Sequence, residues 1–144
     1  MRPSFAFLIL LAVAGLSGSA QDATQEKAQQ LAQDMHAAFQ AKDYQKACEK
    51  AQLLVELAPD SANSHYNLAC AQARLGKQDE ALGTLAQAVE KGWNDAGHMQ
   101  ADADLEPLRG DERFAGLVKK SRENEAKGGW EKGAELEGVK TVED

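Results

Sequence analysis

The sequence predicts an all-α protein built of antiparallel helical hairpins. Three observations carry that expectation. Residues of one helix face recur at three- and four-residue spacing, first Leu68, Ala69, Gln72 and Leu75, then the apolar Ala81, Leu82, Leu85, Ala88 and Val89. The composition is 43% hydrophobic yet only 6% aromatic, which suits close packing of small side chains on helices better than a sheet-based core. Glycines fall where helices must stop. Gly76 separates two apolar runs and Gly92 ends the second, because a residue without Cβ enters the left-handed region at low cost.

Residues 1–20 differ from the rest. Arg2 precedes the apolar run Phe5 to Leu16, and Ser17-Gly18-Ser19-Ala20 closes it with small residues, the form of a signal peptide cleaved after Ala20. A retained anchor is the other reading, but the run is shorter than the roughly 20 apolar residues that span a bilayer. No cysteine lies near the cleavage point to carry a lipid, so the expected product is exported through the Sec pathway, periplasmic or secreted, with no membrane span. Residues 21–27 read as a flexible start, frayed over Gln21–Gln25.

From Glu26 a first helix places Ala28, Leu31, Ala32, Met35, Ala38 and Phe39 on one stripe. Asp43 can cap a second, with Tyr44, Ala47, Cys48, Ala51, Leu54 and Val55 on its buried face. Pro59-Asp60-Ser61 breaks the chain before a third helix from Ala62. Asp79 and Glu80 set negative charge at the start of the fourth, where the helix dipole favours it. Beyond Gly92 a short polar stretch precedes Leu105, Leu108, Phe114, Leu117 and Val118. This reads as a short helix and then a longer one capped by Asp111. Residues 127–144, with four glycines after Lys127 and Trp130 as the one large apolar side chain, are expected to form a flexible tail.

The placement of small residues adds a resemblance. Counted from Ala62, Tyr66-Asn67-Leu68, Ala69, Gly76, Asp79-Glu80-Ala81 and Ala88 resemble the tetratricopeptide repeat, whose period is about 34 residues. One period upstream, Leu31, Tyr44, Ala47 and Pro59 carry the same marks. The resemblance implies a short solenoid of two units, 28–61 and 62–95, with Trp93 standing where the second unit would end in proline. Residues 96–126, through Asp104-Leu105, Pro107-Leu108-Arg109, Asp111 and Arg113-Phe114, resemble the capping tail that follows a final unit in bacterial proteins. The closing ELEGVKTVED resembles the joint that leads, in some larger secreted bacterial proteins, from a helical module into a hydrolase-like domain.

That family's functional surface is a concave groove. Matching positions would line it with Gln29, Ala32, His36, Phe39 and Gln40 from the first unit and Asn63, Tyr66, Cys70, Ala73 and Arg74 from the second. Such a mixed polar and aromatic groove suits an extended peptide or a partner helix. The other reading is plain solvated surface. Arg74 alone resembles the cations that clamp an acidic carboxy-terminal tail, so that ligand class is not expected.

The chemistry-bearing residues argue against catalysis and cofactors. His36, His65 and His98 have no metal-ligand spacing, and His65 is expected as a packed, hydrogen-bonded ring. Asp102, Asp104 and Glu106 alternate like a calcium loop, but Pro107 stands where glycine is required and Arg113 where the closing glutamate belongs, leaving a solvated acidic turn. Cys48 and Cys70 would share an oxidising compartment, yet helix geometry points their Cβ atoms apart. Cys48 reads as a buried small hydrophobe and Cys70 as a free groove thiol. There is no phosphate loop, nucleophile elbow or converging carboxylate pair, and a formal net charge of −7 with no basic cluster disfavours nucleic acid. The sequence thus predicts a non-enzymatic module binding a protein or peptide partner. The alternatives are an assembly role, homodimerising through its helical flanks, and an accessory fragment of an exported hydrolase.

Overall fold

In the computed structural model, residues 9–128 are described, with side chains from Ala20 onward. Every helix or strand element among them is helical, as the sequence predicts. The order is α1 (Ile9–Gln40), α2 (Tyr44–Leu57), α3 (Ala62–Arg74), α4 (Gln78–Glu90), α5 (Ala96–Ala101), a 3₁₀ helix (Ala103–Leu108) and α6 (Glu112–Ala126). Neighbours in sequence pack on one another from α1 to α4. The later elements then double back, the 3₁₀ helix onto α3 and α6 onto α4 and α5.

Local chemistry accounts for the boundaries. The Asp43 carboxylate accepts from the Lys46 amide at the start of α2, and Ser61 Oγ accepts from the Ser64 amide at the start of α3. Asp95, Asp102 and Asp111 do the same for α5, the 3₁₀ helix and α6. Gly76 and Gly92 end α3 and α4 with φ of 78° and 104°. In each case the following amide reaches back to the last turn, Lys77 to Gln72 and Trp93 to Ala88, which closes otherwise unpaired carbonyls. The α1–α2 corner makes the same turn with Lys42 at φ 58°, so a residue with Cβ takes a conformation that favours glycine.

Two expectations change here. α1 runs unbroken through Gln21–Gln25, which the sequence reading leaves frayed; nothing in that stretch is a helix breaker, and the helix simply continues outward with its side chains mostly exposed. The polar stretch after Gly92 holds a helix of its own, α5. The short element after it is a 3₁₀ helix around Pro107. Residues 129–144, the greater part of the expected flexible tail, lie outside the described residues.

Alanine lets the helices approach. Ala28, Ala47, Ala51, Ala69, Ala71, Ala81 and Ala88 are fully buried at the contacts. One apolar cluster joins α1, α2 and Leu68 of α3. A larger one joins α3 and α4 to Met99, Leu105, Leu108, Phe114 and Val118. Phe39 touches both, so the two are continuous. α3 is the axis: ten of its thirteen residues are buried, which leaves it no broad solvated face.

Candidate functional site

The residues expected to line a groove differ in exposure, and two of them are enclosed. On α1, Gln29, His36 and Phe39 are half-buried and Gln40 exposed, with Gln40 Nε2 2.9 Å from His36 Nε2. Asn63 is half-buried. Tyr66 and Cys70 are buried at 2% and 4% exposure, because the 3₁₀ helix and Trp93 cover the α3 face on which they stand. Cys70 is therefore an enclosed thiol, not an open one. The covering residues are more than twenty positions away in sequence, and no helical period relates them to α3.

Asp102 organises the covered face. As the cap residue of the 3₁₀ helix it accepts the Asp104 amide at Oδ1, 2.9 Å away, which aims Oδ2 at α3. There the Tyr66 hydroxyl donates at 2.8 Å and the Cys70 thiol at 3.7 Å, while His98 Nε2 stands 3.5 Å off. Arg109 Nη2 donates to the Asp102 carbonyl at 2.9 Å. The Asp102 side chain is only 15% exposed, so it belongs to a built polar knot and not to the solvated acidic turn that the sequence suggests. Trp93 stacks on Tyr66 with ring centroids 3.9 Å apart and planes within 10°, its Nε1 donating to the Asp95 carbonyl.

Burial and charge favour the protonated forms of Tyr66, Cys70 and Asp104. Burial first, then the neighbouring Cys70 and Asp102, push the Tyr66 phenol far above its usual range. Burial and then the Asp102 charge raise the Cys70 thiol well above an ordinary cysteine. Burial and Asp102 also raise the Asp104 carboxyl, against the lowering influence of Arg74. A thiol held protonated, donating to a carboxylate, is suited to cohesion and not to nucleophilic attack.

Arg74 forms a second, shallower cluster. Its Nη2 donates to Tyr44 Oη at 2.7 Å, its Cζ stands 4.7 Å from the centroid of the Tyr44 ring, and Nε is 3.6 Å from Asp104 Oδ1. Phe39 meets Tyr44 edge to face at 6.2 Å. His65 is buried with Nδ1 donating to the Ser61 carbonyl at 2.8 Å, the packed ring expected. Cys48 is half-buried, and both cysteines are free thiols. Among the described residues no group of three or more His, Cys, Asp or Glu side chains could hold a metal ion, and no helix is long and apolar enough to cross a membrane.

Sequence reasoning overlooked Asn124. Its Nδ2 donates to the Val89 carbonyl at 2.8 Å and the Trp93 carbonyl at 3.0 Å, tying α6 to the end of α4. A polar residue on the exposed-looking end of a helix gives no signal of such a role.

These features define a helical scaffold whose carboxy-terminal third is locked onto its central helix. The family is given by comparison: the model of the A/B hydrolase-like, N-terminal domain matches residues 25–128, and the chain belongs to that family. No curated protein and no solved structure matches it. The family corrects the tetratricopeptide resemblance, and with it the reading of the chain as a groove-binding module of that kind. Gly76 and the buried Ala69, Ala81 and Ala88 express what any close antiparallel hairpin requires, so the pattern reports helix packing and not that family.

Proposed function

We propose that the chain is a non-catalytic accessory module of an α/β-hydrolase, exported by way of its first twenty residues, and that it acts by binding the hydrolase-like catalytic domain. The observation that carries this is the match to the A/B hydrolase-like N-terminal domain over residues 25–128. The charge state of the knot supports it. Cys70 shares a carboxylate oxygen with Tyr66 and is pushed toward the protonated thiol, so the cluster of Cys70, His98 and Asp102 serves cohesion. The resemblance of ELEGVKTVED to a joint entering a hydrolase-like domain points the same way.

The test is direct. The tagged chain, cross-linked in its native cells, should recover a protein carrying an α/β-hydrolase-like domain. Adding the purified chain should change that protein's KM for p-nitrophenyl esters. The chain alone should neither hydrolyse those esters nor react with a fluorophosphonate probe. Labelling of the chain itself, or an unchanged KM for the recovered hydrolase, would overturn the reading.

A further inference from the structure

On the outer side of the carboxy-terminal lock lies a cleft of about 370 Å³, within the range of about 300–1,000 Å³ usual for small-ligand sites. Three cations line it: Arg109, which closes the 3₁₀ helix, and Lys119 and Arg122 on α6. They form no run in the sequence, and the fold collects them in a chain of net charge −7. Among the described residues, none of the three is paired with a carboxylate. The Asp102 carboxylate is committed to Tyr66 and the Asp104 amide, and only its neutral carbonyl meets Arg109 Nη2, at 2.9 Å. Arg122 Nη2 donates to another neutral oxygen, Gln100 Oε1 of α5, at 3.2 Å. Each guanidinium is thus steadied by one uncharged acceptor and keeps its full charge and its other N–H donors for a ligand. Phe114 and Val118 also line the cleft, but at 4% and 6% exposure they belong to the core, so the site offers charge and not apolar surface.

We propose that this cleft binds a phosphate monoester through its phosphoryl dianion. Such a group presents three acceptor oxygens and a charge of about −1.5 to −2 at neutral pH, which matches three cations around one cleft. A lone carboxylate matches one. An arginine fork pairs two N–H donors with two oxygens of the same anion, and a lysine adds a point charge. The same chemistry occurs in soluble phosphate esters and in the headgroup of phosphatidic acid. The site is independent of the hydrolase reading, since it rests on the cleft's own charges.

Titration of the ¹⁵N-labelled full chain with glycerol 3-phosphate at constant ionic strength tests it. Saturable shifts should appear at Gln100, Arg109 and the turn from Lys119 to Arg122. The double variant Lys119→Gln, Arg122→Gln should weaken the affinity about tenfold or more, since two charge-assisted contacts are lost. Lys119→Gln alone, at an exposed position, should already weaken it severalfold, whereas Lys119→Arg should keep it. The indole resonance of Trp93, stacked on Tyr66, should stay in place throughout and so reports an intact fold. Vesicles of phosphatidylcholine with phosphatidic acid form the second arm. Co-sedimentation of the parent chain but not of the double variant assigns the site to the lipid headgroup. Glycerol 3-phosphate binding without co-sedimentation assigns it to a soluble ester, and either result supports the proposal. Shifts that are absent or never saturate, that sodium chloride reproduces, or that survive unchanged in the double variant overturn it.

Discussion

Asp102 receives two side-chain donors from α3, its own downstream amide and a histidine, all on one carboxylate. Removing it leaves the Tyr66 hydroxyl and Cys70 thiol buried without an acceptor. Unmade bonds of that kind are costlier than made ones are favourable. Asp102→Ala is therefore expected to lower stability by about 2–3 kcal/mol, whereas Tyr66→Phe, which leaves Asp102 its other donors, should cost about 1 kcal/mol. Urea titrations of the two variants followed by circular dichroism check the order; equal losses would show that the carboxylate contributes no more than one hydroxyl bond. At this scale the sequence was informative where partners are close. Asp43, Asp111 and His65 each bond within four residues, and a reading of local chemistry finds them. Asp102 and Tyr66 lie 36 residues apart, and nothing periodic connects them.

At the scale of elements, α6 shows how a helix is both started and attached. Asp111 caps it through the Arg113 amide and pairs with the same residue's guanidinium, which also reaches Asp79 at the start of α4 at 2.7 Å. The side-chain and backbone bonds from Arg113 hold the Asp111 carboxyl down at about 2, from an ordinary 3.8. A carboxyl depressed in the folded state adds stability above its unfolded value and loses it as pH falls toward the folded one. Asp111→Asn, which still caps, should therefore narrow its stability deficit against the parent chain as pH drops from about 4 to about 2. Parallel acid denaturation curves over that window check this; a constant deficit would mean that the charge on Asp111 is irrelevant. The elements themselves were legible in sequence because stops and caps are local: Gly76, Gly92 and Asp111 work as expected. Trp93 and α5 were not, since their placement depends on what lies across α3.

For the whole molecule, burial is graded along the chain. α3 has neighbours on several sides, while α1 before Ala28 has only exposed or half-buried residues from Ala20. Local opening follows that gradient, with unpacked helix exchanging soonest. Hydrogen exchange read by mass spectrometry should find the amides of α3 slowest and those of Ala20–Lys27 fastest. Equal protection at both places would require a partner for α1. The all-helical class could be read from composition and periodicity, since both follow from the packing of small residues. Family membership could not, because hairpin packing imposes the same small-residue spacing on unrelated helical proteins.

The covering of α3 by an element far downstream also has a consequence during synthesis. A copy interrupted before Asp102 would lack the 3₁₀ helix that covers the α3 face of Tyr66 and Cys70. Exposed apolar surface of that kind is what chaperones and proteases recognise. Only a chain that extends through the 3₁₀ helix hides that face.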